Sequence, residues 1–191
     1  CGFTVEKKFY KVNKFMDLPV VEFENITAIY PHEKYKLFAP INYKNLNSNR
    51  ERIFNLGRQL GYDFFSYIHP NCINNSSKIG KNCFILENNV IQPYVVIEDN
   101  CILWSGNHIG HHSKIKSNTF ISSHCVVSGS VEIGNNCFLG VNCTIIDNIQ
   151  IGNQSIIGAG CLVTKNTKSG VVVPGNASKP HPNLKSVDID L

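Results

Sequence analysis

Leu103-Trp104-Ser105-Gly106-Asn107-His108-Ile109-Gly110-His111-His112-Ser113-Lys114-Ile115 carries three aliphatic residues six apart, and the spacing extends in both directions. Counting by sixes from Ile73 reaches Ile79, Ile85, Ile91, Ile97, Leu103, Ile109, Ile115, Ile121, Val127, Ile133, Leu139, Ile145, Ile151, Ile157 and Val163, sixteen aliphatic positions without a miss. A strict six-residue period fits neither a helix nor a hairpin. It specifies a parallel β-helix in which each hexad gives one short flat face, with its aliphatic side chain turned inward and a turn after it. Three faces close a triangular coil of eighteen residues, so residues eighteen apart stack on neighbouring coils about 4.8 Å apart. Such a solenoid buries a continuous core between coils and needs capped ends. Periodicity leaves the handedness open.

Six of the eight cysteines, Cys83, Cys101, Cys125, Cys137, Cys143 and Cys161, lie four residues after a repeat aliphatic. They share that slot with Ser77, Ser113, Thr119 and Ser155. The slot takes small residues near a corner, and the cysteines read as reduced packing residues. There is no CxxC pair to suggest a metal site. With no secretory signal and no long apolar span, the chain reads as a soluble cytoplasmic protein without membrane insertion. The net charge of +4 is modest, with scattered lysines and no basic run that points to nucleic acid.

Residues 1–70 have a different grammar, and we read them as a small α/β domain whose first strand is missing. Apolar runs at Phe3-Thr4-Val5, Leu18 to Phe23, Tyr35 to Ile41 and Phe64 to Ile68 are strand-like. Ser48-Asn49-Arg50-Glu51 reads as a capping box, Ile53, Leu56 and Leu60 as one helical face, and Gly61 as the stop. Residues 71–168 form the β-helix and 169–191 a C-terminal extension.

Four of seven histidines, His108, His111, His112 and His124, fall between Trp104 and Gly129. Pro93, His111 and Gly129 belong to one eighteen-residue stack, which sets an imidazole one coil from a glycine whose backbone N–H can be approached closely. Gly106, His124 and Asn142 form a second stack. A general base beside a bare backbone donor suits acyl transfer from a thioester. The base takes the proton of the attacking group, and the donor stabilises the carbonyl oxygen as it gains charge.

Ile109-Gly110-His111-His112, Ser128-Gly129, Phe138 to Asn142, Ile157-Gly158-Ala159-Gly160 and Pro174-Gly175-Asn176-Ala177-Ser178-Lys179-Pro180 together carry a resemblance. The chain resembles the bacterial sugar acyltransferases that include sialic acid O-acetyltransferases and the N-acetyltransferase of the bacillosamine pathway. The resemblance implies a left-handed parallel β-helix that binds acetyl-CoA, an α/β Rossmann-like domain that binds a nucleotide-linked sugar, and a homotrimer with sites between subunits. It puts His111 at the catalytic base, with His112 beside it where the bacillosamine-type enzyme has a glutamate. It also puts Gly129 at the acetyl carbonyl, Gly140, Val141, Asn142, Gly158, Ala159 and Gly160 along the pantetheine arm, and Lys165 or Lys179 at the CoA phosphates. Trp104, Asn107, His108, His124 and Glu6 are the expected acceptor-side residues, with His124 reaching a neighbouring subunit's site. No metal is expected.

The expected activity is acetyl transfer to a sugar amine, for surface glycan synthesis. A sugar hydroxyl is the alternative acceptor. A zinc hydratase of the γ-carbonic anhydrase kind would need histidine ligands recurring at multiples of eighteen, and no two of the four clustered histidines are so spaced. A non-catalytic trimer is the remaining reading.

Overall fold

The computed structural model describes residues 1–175 and residue 182. From Tyr67 to Val173 the chain winds through three parallel sheets of seven, six and five two-residue strands, so every coil contributes one strand to each sheet. This is a left-handed parallel β-helix. We call the seven-stranded sheet, running from Tyr67–Ile68 to Val172–Val173, face D. Face E runs from Ile73–Asn74 to Leu162–Val163, and face F from Lys78–Ile79 to Gln150–Ile151. Strands stack in steps of eighteen, as in Ile97↔Ile115↔Ile133↔Ile151. The repeat aliphatics from Ile85 to Val163 are buried and form one continuous core.

Each turn has the same backbone device. The third residue after every repeat aliphatic, from Asn82 to Gly160, adopts a positive φ. Asparagine holds seven of those fourteen positions (82, 88, 100, 118, 136, 142 and 148) and glycine two, the residues that tolerate the left-handed region best.

The regular step fails only at the two ends. Ile73 does not join the aliphatic stack: Asn74 pairs with Ile91, a step of seventeen, and Ile73 is exposed. Ile68 likewise pairs with Ile85. The last step, Ile157 to Val173, is sixteen. The strict repeat therefore begins at Ile79, and counting by sixes from Ile73 overran it by one position.

The cysteine slot is buried as expected, and the structure adds the reason for its chemistry. Cys83, Cys101, Cys125 and Cys137 each point Sγ at the carbonyl oxygen fifteen residues on, at 3.1 to 3.3 Å. The hydroxyls of Ser113 and Thr119 donate to the equivalent oxygens at 2.9 Å. The donors Cys, Ser and Thr interchange in this slot, while Val95, Val131 and Ile149 fill it with an apolar side chain and Asn89 and Asn107 with an amide. All eight cysteines are free.

Before the β-helix lie β1 (Phe3–Val5), β2 (Lys14–Phe15), β3 (Leu18–Glu22), α1 (Ile26–Ile29) and α2 (Ser48–Gln59). β1 pairs parallel with β3, and β2 closes a hairpin onto β3. One expected strand is not formed and another is shortened. Within residues 35–41 only Leu37 makes a bridge, to Phe64; Ala39 sends its N–H to the Asn82 side chain instead, and Pro40 has none to give. Residues 67–68 of the fourth run belong to face D.

The capping box is also absent. Ser48 Oγ donates to the Asn45 carbonyl, and the Glu51 carboxylate accepts from Asn118 and Asn136 Nδ2 at 3.1 and 2.7 Å. The buried stripe of α2 is Asn47, Arg50, Phe54 and Gly57, whereas Leu60 is exposed. Gly61, at φ +88, does end the helix.

That stripe docks the N-terminal unit on the corner between faces F and D. Asn82, Asn100, Asn118 and Asn136 form a side-chain ladder up this corner, at 2.7, 2.7 and 3.3 Å. Arg50 is wholly buried and donates to the carbonyls of Asn100 at 3.1 Å, Asn118 at 2.9 Å and Ile41 at 3.1 Å. Burial lowers its pKa to about 10, so the guanidinium stays charged at neutral pH. Tyr43 packs on Phe120 and Phe138 of face D, each at 4.9 Å.

Candidate functional site

The corner between faces E and F brings together the residues with most chemical potential. The strand His108–Ile109 leads into the turn Gly110-His111-His112-Ser113. His111 is exposed, and its N–H is fixed by Gln92 Oε1 at 2.9 Å. Its ring lies against Gly129 one coil later: a Cβ on Gly129 would fall 2.7 Å from His111 Cε1 and 2.9 Å from Nε2. Any larger residue at 129 would push the imidazole away.

This glycine differs from most others in the β-helix. Gly80, Gly110, Gly134, Gly140, Gly152 and Gly158 all directly follow a repeat aliphatic, and an added Cβ there would strike the backbone of the next coil at 2.3 to 2.6 Å. They are glycine because two main chains pass close together. Gly129 is glycine because a side chain, His111, occupies its space.

His111 and His112 approach through Nδ1 atoms 3.1 Å apart, with their rings at 85°. His112 occupies the positive-φ position and stacks on Tyr94 of the preceding coil, centroids 4.7 Å apart at 29°. The Gly129 N–H, expected to face a carbonyl, donates to Asp147 Oδ1 at 2.9 Å. Sequence reasoning missed Asp147, although it stands eighteen residues after Gly129 in the same column. Lys81 with Asp99 and Asn135 with Asn153 make the same bond, so it is a recurring coil-to-coil link.

The other expected residues divide into groups. His124 lies at the far end of face E, on the corner between D and E, against Gly106: a Cβ there would meet its Cε1 and Nδ1 at 2.5 Å. Trp104 shares that corner, half exposed, its ring 5.9 Å from Phe120. His108 projects from face E between Val90 and Val126. Asn107 is a correction. It fills the buried slot used elsewhere by cysteine, its Oδ1 accepting the Cys125 N–H at 2.8 Å, and it has no surface left for a ligand.

Val141, Asn142, Ala159 and Gly160 are exposed at the D–E corner, and Gly160 has open space around it. Lys165 is exposed in the His111 column, and Lys179 lies outside the described residues. Among the described residues no group of three or more His, Cys, Asp or Glu is placed to hold a metal ion.

A second feature lies in the N-terminal unit, a largely apolar cavity of about 840 Å³. β1, the Lys36–Ile41 segment and α2 line it, with Glu6 and Arg52 as its polar wall. Arg52 holds Glu6 bidentately at 2.9 and 2.8 Å, and these hydrogen bonds set the Glu6 carboxyl below its ordinary range. None of the cavity's lining residues belongs to the E–F corner.

Residues 76–165 match the family described as bacterial transferase hexapeptide (six repeats), in four overlapping segments. The fold is similar to PerB from Caulobacter crescentus, solved with CoA and GDP-perosamine, at TM-score 0.77 and 22% identity over 85% of this chain and 78% of that one. It is also similar to the acetyltransferase domain of PglB from Neisseria gonorrhoeae FA1090, at TM-score 0.79 and 20% identity over 94% and 86%. That domain has been solved with acetyl coenzyme A as well. WeeI from Acinetobacter baumannii AYE gives TM-score 0.71 and 17% identity over 93% and 84%. At these identities the likeness is one of fold. No curated protein matches the sequence.

Proposed function

We propose, from the match of residues 76–165 to the bacterial transferase hexapeptide family, that this protein is an acetyl-CoA-dependent acetyltransferase acting on the amino group of a nucleotide-linked sugar. The observation that carries this reading is the His111 imidazole lying over Gly129 at an exposed corner. His111 Nε2 accepts the proton of the sugar amine as nitrogen attacks the thioester carbonyl, and the C–S bond breaks. The proton then passes from the imidazolium to the departing thiolate. The carbonyl oxygen, as it gains charge, is met by the Gly129 N–H, for which it exchanges with Asp147. Acetyl-CoA lies between neighbouring subunits, with Gly129 at its thioester and Lys165 near its phosphates on one E–F corner, and the exposed D–E corner residues Val141, Asn142, Ala159 and Gly160 of the next subunit along its arm. The complexes of PerB with CoA and GDP-perosamine, and of PglB with acetyl coenzyme A, support both ligand classes.

The same reading includes a homotrimer whose neighbouring subunits complete each site. Ile73, Val126 and Leu162 are exposed along face E, with Val141 and Ile146 at its two corners. This apolar strip runs between the His124 and His111 corners, so a second copy seated on it would carry His124 and Trp104 toward His111. The N-terminal cavity, with Glu6 at its rim, would hold the nucleotide-linked sugar. A role in surface glycan synthesis follows from such a substrate, and eight free thiols fit a reducing cytoplasm.

The test is release of free CoA from acetyl-CoA against a panel of nucleotide-linked amino and hydroxy sugars, with intact protein and His111→Ala. Turnover with an amino sugar that falls by about 10²-fold or more in the variant is the expected result. Turnover with hydroxy sugars alone would assign O-acetylation. An unimpaired His111→Ala would remove the base.

A further inference from the structure

We propose that Tyr94 is the surface on which the acceptor's sugar ring stacks while its amine meets His111. This inference rests on the acetyl-transfer reading of the E–F corner, and it adds the group that holds the acceptor there. The backbone marks the residue first. Asparagine and glycine hold most of the left-handed turn positions of the β-helix, and only Tyr94, His112 and His124 carry rings there. Tyr94, at φ +65, is the largest of these side chains, and a bulky residue in that region is a genuine outlier. Strain of this kind is concentrated where a side chain is needed for binding or chemistry. Core packing does not account for it, because Tyr94 is 64% exposed.

The place of Tyr94 along the corner gives its ring a task. Tyr94, His112, Ser130 and Asn148 form one column of eighteen-residue steps, beside the column of Pro93, His111, Gly129 and Asp147. In the acetyl-transfer reading the acyl group meets His111 over Gly129 and the later coils hold CoA, so the acceptor comes from the earlier coil. The turn on that side is Gln92-Pro93-Tyr94. Gln92 Oε1 is taken by the His111 N–H at 2.9 Å, and Pro93 has no donor to offer. Tyr94 offers an aromatic ring. One side of that ring lies on His112, centroids 4.7 Å apart at 29°. On the other side the next position of the column is Ser76, since Lys78 pairs with Val96, and the Ser76 hydroxyl is turned to Asn74 Oδ1 at 2.7 Å. The column therefore places only a small side chain against that side of the ring.

A pyranose suits such a surface. Its C–H groups form apolar patches with slight positive charge, and the face of a tyrosine ring carries the negative end of its quadrupole. Sites for small ligands combine aromatic walls with a few placed polar groups. Here the polar group is His111, whose imidazole stands edge-on at 5.2 Å to the His112 ring that Tyr94 stacks on.

The same column supplies the control. Asn148, at φ +61, occupies the equivalent turn three coils later, so Tyr94→Asn removes the ring and keeps the turn. Tyr94→Phe keeps the ring. Steady-state kinetics on the full chain, with the amino sugar that turns over, should show the acceptor KM of Tyr94→Asn raised about tenfold or more. Its kcat and its KM for acetyl-CoA should change little, and Tyr94→Phe should match the wild type. The thermal midpoint of Tyr94→Asn should be no lower than that of the wild type, because the strained position is relieved. An unchanged acceptor KM overturns the proposal, and so does a fall in kcat alone, which would make Tyr94 a support for His112. A lower midpoint, or loss of the oligomer by light scattering, would assign the ring to packing and also overturns it. NMR of ring-labelled tyrosine reads the contact without turnover. Nucleotide-linked amino sugars, but not the bare nucleotides, should shift the Tyr94 resonance, which is identified by its absence in Tyr94→Asn. If no acceptor releases CoA, the acetyl-transfer reading falls; an unshifted Tyr94 resonance would then take the stacking surface with it, whereas a shifted one would keep the sugar site without the chemistry.

Discussion

Arg50 is a buried cation with no carboxylate of the described residues on its guanidinium, and its environment is a set of carbonyl oxygens drawn from both units of the molecule. Charge-assisted hydrogen bonds of this kind are individually strong, and deleting their donor strands several buried acceptors at once. Arg50→Met should cost about 3 kcal/mol or more in denaturant unfolding; a loss within experimental error would mean that water satisfies those carbonyls. Asp147 is a second residue whose effect can be anticipated. Because its carboxylate occupies the Gly129 N–H, Asp147→Ala should leave turnover intact or raise it. A tenfold fall would take the carbonyl-binding role away from Gly129 and give Asp147 a direct one. Gly129→Ala, which would press on the His111 ring, should lower kcat in either case.

At the scale of elements, a hexad is a two-residue strand followed by a turn whose third position is left-handed. An L-residue there costs roughly 1–2 kcal/mol unless it is glycine or asparagine. Exposed Asn88, with φ +58, makes no side-chain hydrogen bond among the described residues, so Asn88→Val should lower stability by about that amount while Asn88→Gly should not. Thermal unfolding of the two variants decides this. The coil was legible in the sequence because one period sets the inward residue, the corner and the stacking partner together, which is also why the His111–Gly129 neighbourhood could be anticipated. The N-terminal unit was far less legible. Ser48 and Glu51 have capping-box spacing, yet Glu51 turns to Asn118 and Asn136, partners 67 and 85 residues away that no local pattern announces. Residues 35–41 have strand composition, yet Asn82 takes the Ala39 N–H. Asp147 followed the ruler but was passed over, because an acidic residue at a corner is an ordinary solvated group until its acceptor role is seen.

For the whole molecule, the two units are held by polar contacts along one corner and by aromatic packing on face D, and among the described residues nothing from the N-terminal unit covers face E. If that face seats another copy, Leu162→Glu should convert a trimer to a monomer by light scattering and abolish turnover, while far-ultraviolet circular dichroism stays unchanged. A monomeric wild type with full activity would remove the shared-site arrangement. The Glu6–Arg52 pair ties β1 to α2 across the cavity. Arg52 lowers the Glu6 pKa, so its contribution is present above the unfolded carboxylate value and is lost as pH falls through the depressed one. Acid unfolding of Arg52→Gln should accordingly begin at a higher pH. The asparagine ladder has a further consequence for the history of such a chain. Arg50 reads the main-chain carbonyls of Asn100 and Asn118, and Glu51 the side chains of Asn118 and Asn136, so a deletion of one hexad within that span would rotate a different corner beneath the docked helix. Insertions and deletions there can be tolerated only in whole coils, whereas the steps of seventeen and sixteen at the two ends lie where nothing is counted. The docked helix acts as a reading frame for length, and lineages that lengthen or shorten this solenoid should differ by multiples of eighteen between residues 82 and 136 and by arbitrary amounts outside it.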